Sequence, residues 1–204
     1  MGLSFHYSGK IHSNTAIEKL ILEVEDICKS LNWKYHIWER KSSGNWSAKK
    51  DPDSFTKYTP DDVKGISLMP AECEPLFLTF LPDGSLCSPL KLMVYNPVND
   101  DLMIEVIHTK TQFAGPDIHV TLMELLHYLK DKYFSMLKVD DEGMYWGKWD
   151  KEILMKQFAK YNIILEIVTD ALSDFKAKPG ESAFSLSKRL EELLLNRFIN
   201  KSVD

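Results

Sequence analysis

The sequence is poor in the features that announce a chemistry. Its three cysteines, Cys28, Cys73 and Cys87, are odd in number and none stands at CxxC spacing. That pattern indicates neither a disulfide framework nor a cysteine zinc site, so the thiols are expected to be reduced, with Cys28 on an apolar helix face. There is no GxGxxG, no P-loop and no GxSxG elbow. No run approaches the roughly 20 uncharged apolar residues that span a bilayer, and Met1 to Ile11 lacks a basic-then-apolar leader; a cytosolic protein is expected. A basic excess is missing as well. The net charge of -5 argues against general affinity for a phosphate backbone.

What is present is a globular composition, 44% hydrophobic and 27% charged over 204 residues, enough for a substantial core. The acidity is central: residues 71–148 hold 6 Lys and Arg against 12 Asp and Glu.

Alternation in Leu3 to Tyr7 predicts a strand. Thr15-Ala16-Ile17-Glu18 has capping-box spacing, and Ile17, Leu20, Ile21, Val24, Ile27, Cys28 and Leu31 then repeat at helical intervals. Trp33, Tyr35 and Ile37 alternate with Lys34, His36 and Trp38 in a second strand. Residues 41–63 show no sustained period and read as a long surface loop. A meander is expected next, over Ile66 to Met69, Leu76 to Leu81, Leu86 to Val94 and Leu102 to Lys110, with hairpin turns at Pro82-Asp83-Gly84-Ser85 and at residues 96–100. A second helix is predicted over 116–134, with Ile118, Leu122, Leu125, Leu126, Leu129 and Tyr133 buried, followed by a connector from Leu137 to Trp149. In the third helix, about 150–175, Leu154, Phe158, Tyr161, Leu165, Val168, Leu172 and Phe175 step by four and three, as in a heptad pattern. After Lys178-Pro179-Gly180, the residues Leu186, Leu190, Leu193, Leu194 and Phe198 supply a further stripe. The expected fold is therefore α+β: a mainly antiparallel sheet of about five to seven strands, helices packed on one face, and a C-terminal helical hairpin. Residues 1–149 would form the α+β core domain and 150–204 the hairpin packed on it, as one structural unit.

The stretch HTKTQFAGPDIH, residues 108–119, is the first candidate site. Strand parity groups Leu102, Ile104, Val106, His108 and Lys110 on one face, expected to look toward the core, with Glu105, Thr109 and Thr111 on the other. The core-facing row would then turn polar at the N-terminus of the second helix, where unpaired N–H groups favour an anion. His108, Lys110, Thr111, Gln112 and His119 are accordingly candidate residues for a small polar ligand. Against this, Pro116 contributes no N–H, Asp117 already places a carboxylate in the first turn, and Gly115-Pro116 is explained as a strand-to-helix joint.

Glu124 and His127 form an ExxH pair, but carboxylate-bridged metal sites need two such pairs, and no second occurs. His119 and His127 are too far apart for a one-turn zinc pair, so no metal or other cofactor is expected. The connector from Val139 to Trp149 lacks the alternate oxygen ligands of a calcium loop. Its acids and aromatics, Asp140, Asp141, Glu142, Tyr145 and Trp146, are instead candidates for a protein-interaction surface. In the competing view the tryptophans pack the third helix against the sheet and the acids favour that helix's N-terminus. Residues 33–58 interleave Trp33, Tyr35, Trp38, Trp46, Phe55 and Tyr58 with lysines and Arg40, which suits single-stranded nucleic acid, but Glu39, Asp51 and Asp53 dilute the charge.

Residues 1–150, with GISLMP, CEPLFLTFLPDGSL, TKTQFAGPDIH and DEGMYW, resemble uncharacterised conserved bacterial proteins. The resemblance implies a bacterial cytosolic source and no particular activity. The expected function is that of a non-enzymatic binding or protein-interaction module, acting on a protein partner or a second copy of itself. The alternative is an enzyme or sensor for a small polar molecule, at the junction of strand 102–110 and helix 116–134. Nucleic-acid binding through residues 33–58 is a third reading.

Overall fold

The computed structural model describes residues 2–41, 60–94 and 106–201. In chain order the elements are β1 (Ser4–Ile11), α1 (Asn14–Ser30), β2 (Lys34–Trp38), β3 (Lys64–Met69), β4 (Leu76–Phe80), α2 (Pro89–Val94), β5 (Ile107–Lys110), α3 (Pro116–Tyr133), β6 (Phe134–Asp141), α4 (Lys151–Asp174) and α5 (Ala183–Lys201). The fold is α+β, as the periodicities predict, but the strands do not form one sheet. They form two antiparallel sheets of three strands each, in the orders β5-β1-β6 and β2-β3-β4.

One side chain joins the two sheets at their centre. Tyr7 on β1 donates its phenol hydrogen to the Phe77 carbonyl at 3.0 Å and accepts from the Phe77 N–H at 2.8 Å. Burial pushes that phenol's pKa upward, so it stays neutral and keeps its hydrogen to donate. Nearby, Thr109 Oγ1 donates to the Pro75 carbonyl and the Leu86 N–H to the Gly9 carbonyl. With these polar groups satisfied, Leu3 just before β1, Phe5 and Tyr7 of the first sheet and Ile66, Leu68, Leu76 and Leu78 of the second share one apolar core. Helix α1 packs on β3 and β2, and α3 packs on β6 and α1. Cys28 is buried in this core, where burial raises its thiol pKa to about 11.

Four local expectations need correction. Leu86 to Val94 is not a strand: Pro89 opens the short helix α2, and Ser88 Oγ accepts from the Lys91 N–H at 3.4 Å. Leu137 to Asp141, expected to open the connector, belong instead with Phe134 to the edge strand β6, paired along β1 from Phe5↔Asp141 to Ile11↔Phe134. Helix α1 starts before the proposed capping box, with Ser13 at its N-cap and Glu18 engaged by Lys64 at 2.7 Å. The fourth concerns β5, whose parity is opposite to the one expected. Register pairs Phe5↔Thr109, His6↔His108 and Tyr7↔Ile107, and directly paired residues share a face. Ile107 and Thr109 therefore point inward with Phe5 and Tyr7, while Val106 and His108 point outward.

The turn at Pro82 to Ser85 forms as predicted, with the Gly84 N–H bonded to the Leu81 carbonyl, the Leu81 N–H to the Ser85 carbonyl, and Gly84 at φ +88°. The turn at 96–100, Leu102, Ile104, Glu105 and most of loop 41–63 lie outside the described residues. So do Trp46, Asp51, Asp53, Phe55 and Tyr58, on which the nucleic-acid reading partly depends.

Helix α4 is capped by Asp150, whose Oδ1 accepts from the N–H groups of Glu152 and Ile153 at 2.8 and 3.2 Å. The acids at 140–142 do not serve that terminus. Leu154 and Phe158, the first residues of the heptad pattern, are buried in the main core, with Tyr161 packed against it. Farther along, α5 packs antiparallel to α4. Arg189 holds the connection: it pairs with Glu181 at 2.7 Å, donates to the Lys176 carbonyl and stacks 4.9 Å above the Phe175 ring.

Candidate functional site

Of the proposed ligand residues, β5 carries His108 and Lys110, both on its outward row, while Thr111 and Gln112 follow it and His119 lies on α3. His108 is exposed, its Nε2 3.7 Å from Glu74 Oε2 and its ring 5.9 Å from that of His6. Lys110 sets its ammonium 5.0 Å from the centroid of the Phe113 ring. Thr111, Gln112 and His119 are buried. Gln112 Oε1 accepts from the Leu3 N–H at 2.9 Å, and the Thr111 N–H donates to the Leu3 carbonyl, which ties the start of the joint to the N-terminus of β1.

What the structure brings together is one pair from the first candidate set and one residue from the second. Thr111 Oγ1 lies 2.8 Å from His119 Nδ1, and His119 Nε2 lies 3.1 Å from Asp141 Oδ1. The carboxylate facing Nε2 assigns the proton of a neutral ring to that nitrogen, leaving Nδ1 to accept from the threonine hydroxyl. The Nε2 contact satisfies distance but not hydrogen-bond direction, so its attraction is mainly electrostatic. Hydroxyl, imidazole and carboxylate follow one another as in a hydrolytic triad. The surroundings differ from those of an enzyme nucleophile: Thr111 and His119 are 0% exposed, and the Asp141 side chain is 2% exposed. With the hydroxyl sealed from any substrate, the chain of contacts acts as a clamp between the start of α3 and the end of β6.

Asp141 also organises the turn that follows. Its carboxylate accepts from the N–H groups of Gly143, Tyr145 and Trp146 at 2.7, 2.7 and 2.8 Å. Burial pushes its pKa up, but His119 and the Trp146 and Gly143 N–H groups outweigh that effect and hold it below the usual carboxylate range. Gly143 is required by space: a Cβ there would stand 2.6 Å from Leu154 Cδ1 and 2.9 Å from His119 Nε2.

The three consecutive acids thus have three different surroundings. Asp140 is exposed and lies across from His6 in the ladder, the Asp141 side chain is buried, and Glu142 accepts from the Ser4 N–H and hydroxyl at 2.8 and 2.9 Å. Tyr145 is buried and Trp146 half-buried.

The turn wound around Asp141 brings its tryptophans to α3, and Trp146 also packs against the main core that Leu154 and Phe158 of α4 enter. His127 meets Trp146 edge-on at 5.8 Å and Trp149 at 4.9 Å, while Tyr145 meets Trp149 at 5.3 Å. Beside them lies a cleft of about 500 Å³ lined by Glu124, His127, Tyr128, Asp131, Lys132 and Trp149. Helical spacing groups Glu124, His127 and Asp131 on one polar face of α3, but only the reversal between β6 and α4 carries Trp149 to them.

No family model, curated protein or solved structure matches this chain. Among the described residues, no helix is long and apolar enough to cross a membrane, and no group of three or more His, Cys, Asp or Glu side chains is placed to hold a metal ion.

Proposed function

We propose that the protein is a non-enzymatic interaction module whose C-terminal hairpin docks against the hairpin of a second copy. The observation that carries this reading is the state of α5: none of the side chains described between Ala183 and Ile199 is buried. Phe184, Leu195 and Ile199 are 81%, 55% and 61% exposed. At about 100° per residue these three fall within about 60° of one another around the helix, forming one outward stripe. Apolar side chains aligned on one face mark an interaction surface more strongly than the same side chains scattered singly.

A second copy fits by geometry. Two hairpins packed face to face make a four-helix bundle, a closed arrangement that satisfies both partners with one self-complementary patch. By helix dimensions the shorter helix is about 28 Å long, and two helices side by side are about 20 Å wide, giving a face of roughly 600 Å² per copy. Twice that reaches the roughly 1,200 Å² at which specific interfaces begin.

Light scattering across a concentration series tests this. The expected mass is twice the monomer's 23.6 kDa, returning to monomer in the Phe184→Glu, Leu195→Glu double variant. A mass that stays at one chain throughout the series would sink the reading. The sealed Thr111 and His119 give the small-molecule alternative no comparable support.

A further inference from the structure

We propose that the cleft between α3 and the turn at residues 145–149 receives a lysine or arginine side chain from a basic segment of a partner protein. This surface is separate from the hairpin stripe and rests on different observations. Glu124, His127, Tyr128, Asp131 and Lys132 recur at helical spacing along one face of α3, and Trp149 closes the cleft from the turn. The lining therefore combines aromatic faces with two carboxylates, the chemistry that attracts an alkylammonium or a guanidinium group.

Its one ammonium is already engaged. Lys132 Nζ lies 2.6 Å from Glu23 Oε1 and 2.9 Å from the Tyr128 hydroxyl, on the side of the cleft toward α1. Among the described residues neither Glu124 nor Asp131 has a cationic partner, Glu124 interacting with the Tyr145 hydroxyl, so their charge faces an incoming cation. The adjoining aromatics already accept cations within the chain: Lys130 Nζ lies 5.8 Å from the Trp146 centroid, and Lys132 Nζ 5.2 Å from that of Tyr128.

Backbone geometry supports a purpose for Trp149. This residue has φ +55°, a left-handed conformation that bulky side chains rarely adopt, and its N–H is held by the Tyr145 carbonyl at 2.9 Å. In this position Trp149 is 41% exposed at the cleft. A volume of about 500 Å³ admits a long side chain with its flanking backbone. The two carboxylates of the lining, Glu124 and Asp131, complement a basic segment.

The test follows the Trp149 indole N–H resonance of the full chain by NMR, assigned by its loss in Trp149→Phe. The protein is titrated with a short capped peptide carrying alternating lysines and glycines, with the same peptide bearing glutamine for lysine, and with free n-butylammonium. The lysine peptide is expected to give a saturable shift that weakens as salt is raised. Glu124→Gln with Asp131→Asn should weaken it by about fivefold or more while leaving the remaining spectrum unchanged. No shift, an equal shift with the glutamine peptide, or an unaltered affinity in the double variant would overturn the proposal. Equal affinity for n-butylammonium would also overturn it, by assigning the cleft to a free amine.

Discussion

His119 and Asp141 meet in the closed interior with Nε2 3.1 Å from Oδ1, joining the first turn of α3 to the last residue of β6. Removal of the carboxylate leaves the Gly143, Tyr145 and Trp146 N–H groups without their acceptor, as well as His119 Nε2 without the oxygen that faces it. Asp141→Ala is expected to cost about 3 kcal/mol or more in urea unfolding, and Thr111→Val about 1–2 kcal/mol, because the latter loses a single buried hydrogen bond. Equal costs would contradict the view that Asp141 organises the turn.

Acid should erase the contribution of Asp141. Its folded pKa lies below the unfolded value, about 3.9. The stabilisation is therefore complete above that unfolded value and is lost as pH falls through the depressed folded one. Stability measured between pH 6 and pH 2 should fall more steeply for the natural chain than for Asp141→Asn, so that the gap between them narrows toward low pH. Glu23 adds a similar slope to both proteins: burial raises its pKa, but Lys132, Tyr128 and Tyr133 together hold it below the usual range. A gap independent of pH would count against an ionised Asp141.

Two glycines separate space from conformation. At Gly143 a methyl group would press on Leu154, His119 and Asp141, whereas at Gly115, with φ +87°, it would meet nothing within 4 Å. Gly143→Ala should lower stability by about 2 kcal/mol through overpacking, and Gly115→Ala by about 1 kcal/mol through backbone strain alone. Only the first should disturb the Trp149 indole resonance.

Tyr7→Phe removes both hydrogen bonds to Phe77 and leaves a buried N–H and carbonyl at the seam between the sheets. The expected cost is about 2–3 kcal/mol in chemical denaturation, with the fold retained. A change below about 0.5 kcal/mol would mean that another group satisfies Phe77.

The helices were the most legible part of this chain. Ile17, Leu20, Ile21, Val24 and Cys28 occupy the buried side of α1 because a 3.6-residue period defines a face without reference to anything else. The same holds for Leu122, Leu125, Leu126 and Leu129 on α3. Strand β6 was less legible, since its outward Met136 and inward Leu137 obscure the alternation that marks a half-buried strand. For β5, alternation correctly separated His108 from Thr109 but could not say which of them faced inward.

The sequence by itself therefore determined the four long helices, though not the short α2, together with the Pro82 to Ser85 turn and the α+β class, all set by backbone geometry over a few residues. Tertiary structure decided the rest. Pairing with β1 turned His108 outward and Thr109 inward, because register is a relation between strands and a shift of one residue exchanges their faces. Chain reversal after β6 then placed Asp141 against His119 and Trp149 against His127, contacts between residues 22 apart in each case, which no local period encodes.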